Sequence, residues 1–278
     1  MKITIQGKEI KLFEHDCLLN GETKGKEVQP FVDISVHLTN QCNAACVFCC
    51  NEGKEEVLFD VQAFKKMFDE VAGKIQINKV TFTGGEPTLR IFEMQECLSY
   101  IHMRCKLITV NTNGKLLSLL DHPYINQIAL SRHHYVNEVN DWAFRSKTHN
   151  FLPTIHPDIK NKVVLVCNLI QGCVDNTEQA YEYLEFAASQ GIKNVAFVGL
   201  MPVNDWSRQH TVTLESIKFR EDVLCFRTLT YPERNVCKCQ NYVYIAKNGN
   251  IVEFYMRHNL CPKYDKGSRI LWENNQII

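Results

Sequence analysis

Phe31-Val32-Asp33-Ile34-Ser35-Val36-His37-Leu38 reads as a strand, and the chain beyond it repeats one rhythm. Residues 60–73 place Val61, Phe64, Met67, Phe68 and Val71 at helical spacing. Lys79-Val80-Thr81-Phe82-Thr83 is a second strand, and 91–103 a second helix. A strand at Leu107-Ile108-Thr109-Val110 precedes a short helix over 115–121, and a strand over 125–130 precedes a helix over 135–145. A strand over 162–170 leads to a helix over 177–190 closed by Gly191. Val195-Ala196-Phe197-Val198-Gly199 leads to a helix over 213–228. Strands alternating with helices predict right-handed crossovers and a parallel sheet. Six units fall short of the eight that close a barrel. The expected fold is α/β: a partial (β/α)6 TIM-type barrel with its ligand site at the carboxyl ends of the strands.

Working outward, residues 2–13 predict a hairpin around Gly7-Lys8, and the turn-rich residues 20–30 a lead-in loop. Near the other end, Tyr242-Val243-Tyr244-Ile245-Ala246 and Ile251-Val252-Glu253-Phe254-Tyr255 flank Lys247-Asn248-Gly249-Asn250, a hairpin with an Asn-Gly turn. The expected division is residues 1–30 as hairpin and lead-in, 31–228 as the partial barrel, and 229–278 as a small C-terminal β-hairpin lobe.

The chain has 278 residues, 45% hydrophobic and 22% charged, which excludes global disorder. Lys+Arg and Asp+Glu number 31 each, so no strongly basic character points to nucleic acid. No apolar run approaches the roughly 18 residues of a membrane span. The first residues lack the pattern of a signal peptide, so a cytoplasmic protein is expected. Thirteen cysteines in a reduced compartment read as metal binding or catalysis rather than a disulfide framework. Cys17, Cys97, Cys105, Cys167 and Cys173 are scattered and read as small core side chains.

Cys42-Asn43-Ala44-Ala45-Cys46-Val47-Phe48-Cys49 places three thiols directly after the first barrel strand. Soft thiolates select zinc or iron–sulfur clusters, and the spacing alone leaves both open. A zinc reading borrows a remote ligand such as His37 or Cys261 to complete four. Thr83-Gly84-Gly85-Glu86-Pro87 follows the next strand. Its glycines allow close backbone approach to a ligand, and Gly85 and Glu86 offer acceptors for an ammonium group.

Together, the Cys-x3-Cys-x2-Cys loop and the Gly-Gly-Glu-Pro element resemble the signature of the radical SAM superfamily, over roughly residues 31–200. The resemblance implies that Cys42, Cys46 and Cys49 hold a [4Fe-4S] cluster. The cluster's fourth iron would chelate S-adenosylmethionine (SAM), and Gly84, Gly85, Glu86 and Pro87 would meet its amino group. Phe48 takes the aromatic slot near the adenine, and Cys50 falls outside the motif. The resemblance also implies reductive cleavage of SAM to a 5′-deoxyadenosyl radical, with the electron drawn from a flavodoxin- or ferredoxin-type donor.

Later strand ends complete the expected cofactor site: Asn111 and Asn113, Ser131, Asn168, and Met201 on an adenine-facing wall. Arg132, His133 and His134 are expected at the cavity mouth. There Arg132, joined by Arg145, would clamp an anion, and a histidine would do acid–base work near neutral pH; the alternative is a solvated loop in which one His caps the next helix. Apolar strands are expected around the cavity. A small anionic or nucleotide-like metabolite is the expected substrate, with a ribosomal peptide as the alternative and a non-catalytic zinc-binding module as the alternative of another class. Cys225, Cys237, Cys239 and Cys261 bracket the C-terminal hairpin and resemble a SPASM or twitch lobe holding a second [4Fe-4S] cluster. Cys237-Lys238-Cys239 and Tyr255 depart from that pattern, which leaves zinc or reduced structural thiols as alternatives.

Overall fold

The computed structural model describes residues 2–12, 31–51, 53–148, 152–220, 224–225, 240–257 and 269–278. At the N-terminus β1 (Lys2–Ile5) and β2 (Lys8–Lys11) pair antiparallel. The turn falls on Gln6-Gly7, at φ 47° and 77°, one residue earlier than expected. Positive φ at both central residues matches the twist of a two-residue hairpin turn.

The main sheet begins with β3 (Phe31–His37), followed by α1 (Val61–Ala72), β4 (Gln76–Thr83), α2 (Ile91–Ile101) and β5 (Leu107–Thr112). Next come β6 (Gln127–Ser131), α3 (Asn137–Phe144), α4 (Pro157–Lys162), β7 (Val163–Leu169), α5 (Thr177–Ser189), β8 (Asn194–Gly199) and α6 (Asp205–Gln209). Strands β3 to β8 pair in chain order and all in parallel, as crossover helices require. The fold is therefore a partial TIM-type barrel.

The helices form where capping and periodicity agree. Asp60 caps α1 by accepting from the Gln62 and Ala63 N–H groups at 2.7 and 3.2 Å. Phe64, Met67, Phe68 and Val71 then bury one face of that helix. Asn176 caps α5 in the same way, accepting from the Gln179 N–H at 3.0 Å.

Three elements differ from expectation. The helix over 115–121 is a 3-10 turn at Leu117–Leu120. Helix α4, with Pro157 at its first position, was not anticipated. Within the expected helix over 213–228, the described residues show a 3-10 turn at Leu214–Ser216 and then Ile217-Lys218-Phe219-Arg220 outside any helix, while the short helix α6 lies earlier. That last segment alternates between covered and exposed positions, a period of two that no helix satisfies.

The C-terminal strands are part of the same sheet. Strands β10 (Gln240–Ile245) and β11 (Ile251–Arg257) form the expected hairpin, but β11 pairs parallel with β8. Strand β12 (Arg269–Glu273) pairs parallel with β3 at the opposite edge, and β13 (Gln276–Ile277) pairs antiparallel with β12. Two residues of β9 (Leu224–Cys225) border β10. Among the described residues the sheet thus runs β13-β12-β3-β4-β5-β6-β7-β8-β11-β10-β9.

One face of this sheet packs on the helices through a single apolar cluster that includes Ile34, Val36, Val80, Phe82, Val110, Leu165 and Phe197. Side chains on a strand alternate between faces, so the intervening residues point to the barrel interior. Across β3 to β6 most of those residues are polar, with Ala129 and Leu107 among the exceptions. Ser35, Thr81, Thr109 and Gln127 are register partners in one row. Thr109 donates to Gln127 Oε1 at 3.4 Å, and Arg269 Nε of β12 donates to Ser35 at 3.0 Å. The interior expected to be apolar is therefore polar on this side; it turns apolar at Val164, Val166, Ala196 and Val198 of β7 and β8. Among the described residues no helix is long and apolar enough to cross a membrane.

Candidate functional site

The cysteine loop leaves the end of β3 and is pinned at its entrance by the Gly-Gly-Glu-Pro turn. Thr39 and Gln41 carbonyls accept from the Gly85 and Glu86 N–H groups at 2.6 and 2.8 Å. This contact explains the glycines. Gly84 has φ +134°, and a Cβ there would lie 2.3 Å from the Thr39 carbonyl oxygen. A Cβ on Gly85 would lie 2.1 Å from the Gln41 carbonyl oxygen and 2.6 Å from that of Asn40. The close approach expected toward a ligand is here an approach toward the peptide that carries Cys42.

Glu86 is buried, and its carboxylate is a hub. Oε1 accepts from the Thr88 N–H (3.2 Å), the Thr88 hydroxyl (2.6 Å) and the Thr112 hydroxyl (2.8 Å). Oε2 accepts from the Asn113 N–H at 2.8 Å. The carboxylate read from sequence as an ammonium acceptor thus ties the end of β4 to the end of β5. Asn113 passes the connection on: its Nδ2 donates to Asn43 Oδ1 at 2.7 Å and to Cys42 Sγ at 3.6 Å.

Further supports come from residues outside every sequence motif. Lys115 Nζ donates to the Asn43 carbonyl at 2.6 Å and to the Ser146 hydroxyl. The C-terminal end of α3 receives the loop, with Phe144 and Ala143 carbonyls accepting from Ala45 and Val47 N–H groups at 3.0 and 3.4 Å. Asn51 Nδ2 donates to the Gly84 carbonyl at 2.9 Å. A single sequence offers no signal for these residues, because each works through a partner far away in the chain.

The donor set suits a cationic multi-metal group. Cys42 is exposed, and Cys46 and Cys49 are partly exposed. Burial, and then the nearby Cys49 and Cys42, push the Cys46 thiol up to about 12. Thiolates crowded this way stay ionised only when a cation compensates them. The Ala44 N–H on Cys42 Sγ (3.4 Å) and the Asn51 N–H on Cys49 Sγ (3.3 Å) aim backbone donors at the sulfurs. Among the described residues, no three His, Cys, Asp or Glu side chains stand close enough together to hold a single metal ion. Three thiols within eight residues, with backbone donors aimed at two of them, suit a three-thiolate grip on an iron–sulfur cluster.

Residues 36–214 match the model of the Radical SAM superfamily. The chain belongs to the radical SAM superfamily. Curated relatives include a "Probable GTP 3',8-cyclase" of Saccharolobus solfataricus, 29% identical over an alignment of 188 residues that covers 63% of this chain and 59% of that protein. A protein of the same name from Methanocella arvoryzae is 31% identical over 86 residues, covering 31% of this chain and 27% of its own length. The chain spans little more than half the length of the first of these relatives. Among solved structures, Streptococcus suis SuiB bound to S-adenosylmethionine superposes with a TM-score of 0.54 at 17% identity, covering 68% of this chain and 43% of that one. The radical SAM cofactors are a [4Fe-4S] cluster and S-adenosylmethionine, and the three loop thiols match that requirement.

Other residues expected in a radical SAM site fall into separate groups. Asn111 lies beside Thr83, its Nδ2 donating to the Thr83 hydroxyl at 3.5 Å. Phe48 meets the His133 ring edge-on, with centroids 5.0 Å apart, and neighbours Trp206 at 6.4 Å. Ser131 and Asn168 sit at or near the ends of β6 and β7. Met201, just past β8, is 48% exposed, while its neighbour Leu200 is buried.

The polar stretch after β6 does not form the expected rim. Arg132 is buried and turned back, with Nη2 donating to Asn137 Oδ1 at 2.6 Å and the Tyr135 carbonyl at 3.2 Å. Its guanidinium lies 4.8 Å from the centre of the Phe186 ring. His134 is also buried, and its Nδ1 accepts from the Val136 N–H at 2.9 Å just ahead of α3. His133 stacks on Phe144 and accepts the Asn168 N–H at Nδ1, at 3.1 Å. Burial, and then the adjacent Arg132, lower its pKa to about 3. It is therefore neutral at neutral pH, with its proton on Nε2, and is no acid–base group there. Arg145 is exposed at the left-handed end of α3.

This neutral histidine predicts a pH effect. The unfolded chain protonates His133 near pH 6.5, whereas the folded chain does so only near 3. Stability from this residue is complete above pH 6.5 and falls as pH drops toward 3. Between pH 6.5 and 5 the loss is roughly 2 kcal/mol. Urea unfolding of His133→Gln across this range should give a shallower pH slope than the parent; parallel slopes would contradict the assignment.

Cys97, Cys167 and Cys173 are buried and Cys105 partly so, in keeping with packing roles. Cys17, Cys237, Cys239 and Cys261 lie outside the described residues, as do the loop over 20–30 and the side chain of Cys225.

Proposed function

We propose that this chain cleaves SAM reductively and uses the resulting radical on a small anionic, nucleotide-like metabolite. The observation that carries the reading is the three-thiol loop fixed by backbone and side-chain bonds to the Gly-Gly-Glu-Pro turn and Asn113. Cys42, Cys46 and Cys49 would hold the [4Fe-4S] cluster. The segment Gly84 to Pro87, with Phe48, Asn111, Asn113, Ser131, Asn168 and Met201, would surround SAM. When bound, these cofactors supply one-electron cleavage of the sulfonium C5′–S bond, giving methionine and a 5′-deoxyadenosyl radical that takes hydrogen from the substrate.

The protein's share is positioning. Glu86 and Asn113 hold Cys42 in place, and α3 receives the loop's backbone. Phe48 and His133 offer a neutral aromatic wall that holds no titrating proton near a radical. The polar row Ser35–Thr81–Thr109–Gln127 offers hydrogen-bonding groups to a hydrophilic substrate below the loop. That row, together with relatives named GTP 3',8-cyclase, supports a nucleotide-like substrate in place of the Arg132 rim. A flavodoxin- or ferredoxin-type protein in a reducing cytoplasm would supply the electron.

The test is anaerobic reconstitution of the full chain with iron and sulfide, followed by dithionite, SAM and a panel of nucleoside triphosphates. Expected are about four irons per chain, 5′-deoxyadenosine on chromatography, and faster formation with one nucleotide. A colourless zinc-loaded chain would overturn the reading. Stimulation by peptides alone would overturn the substrate class.

A further inference from the structure

Glu56 stands seven residues beyond Cys49 and belongs to neither sequence motif. Its carboxylate nevertheless returns to the entrance of the cysteine loop. Oε2 accepts from the Gln41 N–H at 3.1 Å and the Asn40 N–H at 3.3 Å. Oε1 accepts from the Thr39 hydroxyl at 2.6 Å and from Arg90 Nη2 at 3.3 Å. Arg90 ends the 3-10 turn that begins at Pro87, and its Nη1 also meets Glu93 at 3.3 Å. One carboxylate therefore closes the base of the loop and fastens it to the turn after the Gly-Gly-Glu-Pro element.

The entrance peptide is held on both sides. Its N–H groups at Asn40 and Gln41 go to Glu56, that of Gln41 being shared with the Thr39 hydroxyl at 3.0 Å, and its carbonyls at Thr39 and Gln41 receive Gly85 and Glu86. Asn40 Nδ2 also donates to the Glu55 carbonyl at 2.5 Å. An exposed ion pair alone contributes little. Here the same carboxylate also takes two backbone donors and a hydroxyl, and charge-assisted bonds of that kind are the stronger class. The net effect agrees: burial would raise the Glu56 pKa, but donation from Thr39, Arg90 and Asn40 lowers it.

We propose that Glu56 and Arg90 form a positioning clasp that sets the cysteine loop in its ligand geometry before iron arrives. The clasp rests on the cluster reading above, but its first effect belongs to the iron-free chain. Without Glu56 the Asn40 N–H loses its acceptor, the Gln41 N–H keeps only the Thr39 hydroxyl, and the segment leading into Cys42 loses its fixed direction. Neither residue touches substrate or cofactor in this account.

The experiment compares the parent with Glu56→Gln, Arg90→Met and the double variant. In the iron-free chains, amide hydrogen exchange is followed at residues 39–42. In the reconstituted chains, iron per chain and the rate of cluster loss to a chelator are measured. Expected are exchange at Asn40 faster by about tenfold in Glu56→Gln, with a smaller increase at Gln41, which keeps the Thr39 hydroxyl, and cluster loss faster by about tenfold. Arg90→Met should show a smaller effect in the same direction, and the double variant should match Glu56→Gln because the arginine acts through the carboxylate. Unchanged exchange and unchanged cluster loss would overturn the clasp. Should Glu56→Gln fail to fold, Arg90→Met decides: parent-like exchange and chelator rates would overturn it. A parent chain that takes up no iron would sink the cluster reading, while the exchange data would still judge the clasp.

Discussion

Replacing Cys42 by Ala should abolish 5′-deoxyadenosine formation and leave the fold intact. Cys42 is exposed, and its sulfur receives only the Ala44 N–H and Asn113 Nδ2 among the described contacts. Asn113 keeps its bonds to Glu86 and Asn43 when the sulfur is gone. The stability change should therefore stay within about 1 kcal/mol, as for other exposed substitutions. Cluster assembly has no such reserve, because two thiolates cannot replace three. Iron per chain should fall several-fold, and product formation to background. Turnover at the parent rate with Ala at this position would refute the ligand assignment. Normal iron content with lost turnover would place Cys42 elsewhere in the chemistry.

Gly85→Ala should have the largest effect on stability. The added methyl would sit 2.1 Å from one carbonyl oxygen and 2.6 Å from another, and both belong to backbone. No side chain can swing away to relieve the contact. The peptide at Asn40 and Gln41 is held on its other side by Glu56, so it moves only by breaking those bonds or the pair to Gly85 and Glu86. Overpacking against unyielding neighbours costs about 3 kcal/mol. For a chain of this size that lowers the melting temperature by roughly 6–10 °C. Iron retention should fall with it, because the displaced peptide leads directly into Cys42. A melting temperature within a degree of the parent would mean that the entrance peptide is not packed as described.

Much of the architecture was legible because it rests on local rules. The spacing of Phe64, Met67, Phe68 and Val71, with Asp60 before them, specifies α1 without reference to the rest of the chain. Asn248-Gly249 specifies the turn between β10 and β11. No local signal says which sheet edge a hairpin joins, and so the pairing of β11 with β8 and of β12 with β3 stayed hidden. The segment after α6 misled for a related reason: Leu214 and Ile217 sit three apart as in a helix, yet only a single 3-10 turn forms there before the chain straightens at Ile217.

The site divides in the same way. The cysteine spacing and the Gly-Gly-Glu-Pro element are sequence patterns, and both come together in space. What the polar side chains do was less legible. Glu86, Arg132 and His134 looked like groups offered to a ligand, but each spends its hydrogen bonds inside the protein. Glu56, Lys115 and Ser146 stand in no sequence motif, yet each reaches back to the cysteine loop. A polar residue's type reveals what it can bond, and only the fold reveals with whom.

The supports of the cysteine loop have a consequence for maturation. Asn113 and Lys115 reach Cys42 and Asn43 across about seventy residues of chain, and Ser146 reaches Asn43 across about a hundred. Contacts so distant in sequence form late, after the intervening strands have docked. A nascent chain that has exposed only its three cysteines therefore presents them on an unsupported tether. Whatever machinery delivers iron and sulfide must wait for a barrel that is already built, and must reach the thiols from outside.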